Sequence, residues 1–157
     1  MKVKNLAVKS KTQGEPGLPK KSVDKLTVSY SGAEGDYNSY RAERKNNTPN
    51  RALLLFPEEM LRILRGEGWP IQPGDLGENI TTSGIEYDDF KIGNKYRIGS
   101  TEIEITEVCN PCKNLAFLPY VGDKVSEFIE TMKGRRGWYA KVVKEGEIRA
   151  TDTIHVL

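Results

Sequence analysis

Residues 109–114 read CNPCKN and hold both cysteines of a 157-residue chain, three positions apart. Thiolates ligate soft metals, exchange with disulfides and carry sulfur, so this pair sets the first chemical question. As zinc ligands the two sulfurs need further partners, and the chain has one histidine, His155. It stands between Ile154 and Val156 in an alternating segment, which aims it away from their face, toward solvent or a sheet edge. The complete ligand spacing of a zinc motif is absent. In a thioredoxin-like dithiol, CxxC opens a helix inside a βαβ unit, and the helix N-terminus lowers the thiol pKa. Here the strand EIEITEV leads in, but KNLAFLPYVGDK puts Pro119 and Gly122 before any credible helix. A third reading makes Cys112 a single nucleophilic or ligating thiol, held by Pro111 at the end of a strand. Lys113, or an arginine from elsewhere, would favour its ionised form. Cys109 would then be an ordinary buried cysteine. Spacing leaves that reading level with a buried, inert pair.

Two other stretches carry chemistry-bearing residues. In PGDLGENITTSGIEYDDFKIGNKYRIG (73–99), Gly74, Gly77 and Gly84 allow tight turns and close backbone approach to a ligand. Glu78 and Asn79 lie beside one of them. A carboxylate next to an amide could hydrogen-bond a heterocycle or serve proton transfer, or could simply build the turn. The glycine spacing matches neither a Walker A loop nor a dinucleotide fingerprint. In MKGRRGWYAKVV (132–143), Arg135 and Arg136 sit between glycines at the start of a strand. They could grip a phosphate in bidentate fashion or form a solvated turn.

These residues must be held by surrounding elements. Val3, Leu6 and Val8 suggest an opening strand whose alternation slips by one residue. TQGEPGLPKK (12–21) reads as a loop, and Lys25–Tyr30 as a second strand. Residues 31–50 are polar, without apolar periodicity, and long ordered loops are disproportionately functional. Arg51–Phe56 is a compact apolar run. The following helix has Pro57, Glu58 and Glu59 at its start, a Met60/Leu61/Leu64 stripe and a stop at Gly66. Short strands are expected at Asn79–Thr82, Lys95–Ile98 and Thr101–Val108, where Ile103 and Ile105 alternate with Glu102 and Glu104. A second helix spans Asp123–Lys133, with Val125, Phe128, Ile129 and Met132 inward. The chain closes on WYAKVV, a turn at KEGE and a last strand EIRATDTIHVL. Many short strands with two or three short helices predict a mainly β fold, a closed or nearly closed barrel, over residues 1–157 as one domain.

The totals exclude several classes. A net charge of +2 gives no global case for nucleic acid, although Lys and Arg gather at Lys2–Lys25 and Lys133–Arg136. No apolar run approaches the ~20 residues of a membrane span, and the N-terminal residues lack the apolar core of a signal peptide. The expected location is therefore the cytoplasm, where a structural disulfide is a poor expectation.

In this order, PGDLGENITTSGI, KIGNKYRIGSTEIEITEVCNPCKNL and GRRGWYAKVVKEGEIRATDTIHVL resemble a MOSC domain, the module named after the C-terminal part of molybdenum-cofactor sulfurase. RALLLFPEEML and the GD of SGAEGDYN also fall where that family has counterparts. The resemblance covers roughly residues 20–157 and looks closest to the small stand-alone prokaryotic members. It implies a β-barrel in which Cys112, the cysteine of the PC motif, either carries sulfur as a persulfide or ligates the molybdenum of a pterin cofactor. It further implies that Gly77, Glu78 and Asn79 line the pocket, with Glu78 beside the chemistry, and that Arg135 and Arg136 meet a cofactor phosphate. A cysteine desulfurase or a molybdoenzyme would be the partner; pyridoxal phosphate is not expected. The activity would be sulfur transfer or a molybdenum-dependent oxidation or reduction. A thiol–disulfide protein using Cys109 and Cys112, or a non-catalytic binding domain, are the other readings. Cys109 stands where many members have arginine, and could give Cys112 a resolving partner.

Overall fold

The computed structural model describes residues 1–157. Eight strands form one mixed sheet: β1 (Lys2–Val8), β2 (Lys21–Val23), β5 (Leu53–Pro57), β6 (Ile80–Ser83), β7 (Lys95–Ile98), β8 (Thr101–Val108), β9 (Trp138–Lys144) and β11 (Ile154–Val156). Their spatial order is β11-β7-β8-β9-β5-β6-β1-β2. Three others, β3 (Lys25–Ser29), β4 (Gly32–Ala33) and β10 (Gly146–Arg149), form a second sheet in the order β10-β3-β4. The helices are α1 (Ser39–Arg44), α2 (Glu58–Gly66) and α3 (Val125–Met132), with short 3-10 turns between elements. No helix is long and apolar enough to cross a membrane.

The mainly β class agrees with the sequence pattern, but neither sheet closes into a barrel. The large sheet keeps β11 and β2 as open ends. The start of β1 reaches the segment before β11 through one bridge, Lys2 to Thr153, and two backbone bonds (Val3 N to Asp152 O, 2.9 Å; Ile154 N to Met1 O, 3.0 Å). Closure fails because β3 and β10 pair with each other and leave the main ladder. The segment EIRATDTIHVL is accordingly two strands in two sheets, parted by a turn in which the Asp152 carboxylate accepts from Arg149 N at 2.7 Å.

Elsewhere local chemistry explains the elements. In β8, Ile103 and Ile105 are buried while Glu102 and Glu104 are half-exposed, as alternation requires. The slip in β1 is a register shift against β6 between Val3 and Asn5. Helix α2 buries Leu61 and Leu64, places Glu58 and Glu59 at its positive end, and connects β5 to β6 in parallel, the only parallel pair in the sheet. Helix α1 has no apolar stripe. It forms because Asn38 accepts from Arg41 N at 3.0 Å as an N-cap, and Asn46 and Asn47, both in the left-handed region, turn the chain just after it.

A 19-residue apolar cluster fills the space between the two sheets, and a 12-residue cluster lies under α2, α3 and the turns near them. Asn79 is a polar staple between strands. Its Oδ1 accepts from Leu54 N (3.1 Å), its backbone N donates to Leu54 O (2.8 Å), and its amide donates to Asp36 (2.9 Å). Asp36 in turn pairs with the buried Lys20, whose pKa burial lowers against the pull of that carboxylate. Glu78, fully buried beside Asn79, accepts from Gly74 N (2.7 Å) and from the Thr81 hydroxyl (3.1 Å), and its second oxygen has no partner.

Burial raises the Glu78 pKa, with those hydrogen bonds opposing it. An unfolded chain sheds this proton in the ordinary carboxylate range, and the folded chain sheds it only at higher pH. Between the two the folded state holds the extra proton, so this group makes stability fall as pH rises, by up to about 1.4 kcal/mol for each pH step of one within that window. The prediction is that Glu78→Gln gains stability relative to wild type on going from acid to neutral pH, measured by denaturant unfolding at both. A pH-independent difference would contradict it.

Candidate functional site

The β8–β9 ladder ends at the pair Val108–Trp138, and one residue further Cys109 N donates to Gly137 O at 2.8 Å. This bond joins the cysteine segment to the arginine segment. Beyond it Cys112 is extended (φ −146°, ψ 171°), and its carbonyl accepts from Leu115 N (3.1 Å) at the head of the 3-10 turn Lys113–Phe117. Leu115 is fully buried, which anchors that turn from behind. The two sulfurs are free and differently placed: Cys109 is buried against Leu54 and Tyr139, whereas Cys112 is half-exposed.

Gly137 decides where its neighbours point. Its φ is +112°, and a Cβ there would lie 2.8 Å from Leu55 O, so only glycine lets the chain pass this close to β5. The Tyr87 hydroxyl fixes the same residue, accepting from Gly137 N (3.0 Å) and donating to its carbonyl (3.3 Å). Burial pushes the Tyr87 pKa up to about 12, which keeps it a neutral donor. The arginines before Gly137 then diverge. Arg135 turns outward to a bidentate pair with Glu67 (2.6 and 3.1 Å). Arg136 turns inward, is 5% exposed, and has neither an ion pair nor a hydrogen bond to its buried Nε and Nη1.

A cavity of about 100 Å3 collects these groups. Cys109, Cys112, Arg136 and Tyr139 are among its lining residues. Gly77, Leu76, Gly17, Asn38, Tyr40 and Arg51 line it as well. Gly77 lies at φ +78°, where a side chain would be strained, although a Cβ there would meet Leu18 only at an ordinary contact distance of 3.5 Å. Arg51 is already committed: it pairs bidentately with Glu107 (2.7 and 2.6 Å) and stacks on Tyr139 (4.9 Å) and Tyr40 (5.5 Å). Arg136 is not. A buried guanidinium without a partner costs several kcal/mol, and Arg136 stands in this cavity with donors that no group of the chain satisfies. Burial pushes the Cys109 thiol pKa up, with Arg136 opposing, and burial likewise raises that of the Tyr139 phenol. Both are neutral near pH 7.

Of the residues singled out in the sequence, the cavity brings together Cys112, Arg136 and Gly77, with Cys109 beside them. Glu78 is sealed behind the Gly77 turn and does not reach it. Asn79 borders a smaller neighbouring cavity of about 60 Å3, which shares Asn38, Arg51 and Tyr139 with the first. Arg135 lies outside. His155 is exposed on the edge strand β11, and no three His, Cys, Asp or Glu side chains group as a metal cage. Sequence reasoning missed Tyr87, Tyr139 and Arg51. Tyr139 lay in a strand pattern that fits any core tyrosine. Arg51 sat at the head of an apolar run, where its only signal was being a charge there.

Comparison with known proteins gives the family and the fold. The MOSC domain family model matches residues 42–155. Protein YiiM of Escherichia coli is 28% identical over 146 residues, which is 88% of this chain and 62% of YiiM. A protein named Reductase from Gibberella moniliformis is 33% identical over 85 residues, 54% of this chain and 15% of that protein. The chain thus spans less than two thirds of the length of these relatives. Among solved structures, the YUAD protein from Bacillus subtilis superposes with a TM-score of 0.80 at 22% identity, covering 99% of this chain and 94% of that one. YiiM from Escherichia coli superposes at 0.69 over the whole chain and 70% of its own. The chain belongs to the MOSC family, which is associated with molybdenum-cofactor binding and sulfurase chemistry.

Proposed function

We propose that this chain handles sulfur in molybdenum-cofactor chemistry, with Cys112 as the thiol that carries it. The observation behind this reading is the pairing of a reachable sulfur with a buried guanidinium that has no partner, in one small cavity. The Cys112 thiolate attacks the outer sulfur of a donor persulfide R–S–SH. A new S–S bond forms on Cys112, the donor's S–S bond breaks, and R–S⁻ leaves. The product Cys112–S–SH ionises to a terminal sulfur anion, which the free N–H groups of Arg136 can stabilise. A space of about 100 Å3 accommodates this extra sulfur. A protein cysteine desulfurase is the donor class that fits, and a molybdoenzyme or its cofactor the acceptor.

A second reading has Cys112 ligating the molybdenum of a pterin cofactor, which would supply two-electron redox chemistry. The donor set favours it, since a soft thiolate stands beside a cation suited to phosphate, and so does the relative named Reductase. The enclosed space does not, because pockets that hold ligands of drug size run to roughly 300–1,000 Å3. Glu78 and Asn79 act in either case as supports of the Gly77 turn rather than as groups that touch the ligand.

Mixing the Cys109→Ser form with a cysteine desulfurase and cysteine should add one sulfur to Cys112, read by mass spectrometry of the peptide, and a further Cys112→Ala should lose it. An unmodified Cys112 in that form would count against the carrier. Molybdenum co-purifying with wild type and absent from Cys112→Ala, in a cofactor-producing host, would select the second reading. Arg136→Met should raise the unfolding free energy by about 1–3 kcal/mol, because it removes an uncompensated buried charge, while lowering the sulfur load. A destabilised variant that loads fully would contradict the role given to Arg136.

A further inference from the structure

We propose that Cys109 is a resolving thiol, which converts the persulfide on Cys112 into an intramolecular disulfide and releases sulfide. This rests on the carrier reading above and adds to it a second activity, reduction of sulfane sulfur to hydrosulfide.

Three observations support it. Both cysteines are free and both line the same small cavity, which holds any group carried on Cys112 close to Cys109. Their exposures divide the work: Cys112 is half-exposed and reachable by a donor, while Cys109 is 4% exposed and packed on Leu54 and Tyr139. A thiol so placed meets no outside partner and reacts only with what the cavity holds. Finally, the backbone bond from Cys109 N to Gly137 O fixes Cys109 beside the arginine segment, so a sulfur leaving Cys112 departs next to the unpartnered Arg136.

The step balances without an outside oxidant. The Cys109 proton passes first to the terminal sulfur of Cys112–S–S⁻, and the Cys109 thiolate so formed attacks the inner sulfur of Cys112–S–SH, from which HS⁻ leaves. The S–S bond within the persulfide breaks as the Cys109–Cys112 bond forms. The sulfane sulfur is reduced and the two cysteines are oxidised. A thiol reductant then returns both cysteines to their thiols and takes up the oxidising equivalents as its own disulfide. Holding the two sulfurs in one cavity makes the attack unimolecular, the condition under which a neighbouring group outruns any diffusing thiol.

The test loads the full chain with glutathione persulfide, removes the excess and omits reductant. Released sulfide is followed with a bimane probe, and the 109–112 peptide is mapped by mass spectrometry. Wild type should release one equivalent of sulfide and show a peptide lighter by two hydrogens. Cys109→Ser and Cys109→Ala, each shown to be folded by its unfolding transition, should keep the added sulfur on Cys112. They should release sulfide at least about tenfold more slowly, the loss expected when an intramolecular nucleophile is removed. Wild type that keeps its added sulfur as long as both variants, with no disulfide, would overturn the resolving role and leave the carrier standing. Absence of added sulfur on Cys112 in every form would overturn the carrier and the resolving role together.

Discussion

One backbone hydrogen bond organises this molecule's chemistry. Where the β8–β9 ladder runs out, Cys109 N still reaches Gly137 O, and two motifs far apart in sequence become neighbours. Gly137 can take this position because it has no side chain to strike Leu55 O, and the Tyr87 hydroxyl clamps its peptide from the other side. From that fixed peptide Arg136 is driven inward, against the usual preference of a guanidinium for water or a carboxylate. The cost of leaving it unpaired is met by the rest of the fold, chiefly the two apolar clusters of its core. A buried cation with free donors beside a thiol is a poor stabiliser and a good receptor. That asymmetry is the physical basis for reading the cavity as a site.

The Gly77 turn and Arg51 supply other parts of the same cavity lining. The parallel crossover β5–α2–β6 returns the chain through the turn containing Gly77, whose backbone packs against Leu18. Glu78 and Asn79 then hold that turn from behind, one by accepting from Gly74 and Thr81, the other by tying β5 to Asp36. Arg51, its charge taken up by Glu107, contributes a flat surface between Tyr40 and Tyr139 instead of a second anion site.

Much of the architecture was legible because period and burial agree. The alternating Ile103 and Ile105 of β8, the stripe of α2 and the inward residues of α3 all reflect apolar faces that local pattern records. Even the slip at Val3–Leu6 appears as a register shift. Helix α1 and strands β2 and β4 were not legible, since a polar capped helix and strands of two or three residues leave no periodic trace. Sheet closure was not legible either, because it depends on whether β10 pairs with β3 or joins the main ladder. At the site, residue type pointed to the right segments and did not resolve neighbours. Arg135 and Arg136 are identical in type, and their opposite directions belong to a turn bounded by Gly134 and Gly137, both at positive φ. Glu78 sits one residue from Gly77, yet the turn hides the first and presents the second.

The central claim is that Arg136 makes the space around Cys112 a receptor for negative charge. The ratio of alkylation rates by iodoacetate, an anion, and iodoacetamide, its neutral analogue, reads this directly at Cys112. Wild type should favour the anion over Arg136→Met by about tenfold, as expected for one nearby charge under partial screening. Equal ratios in the two proteins would contradict the account.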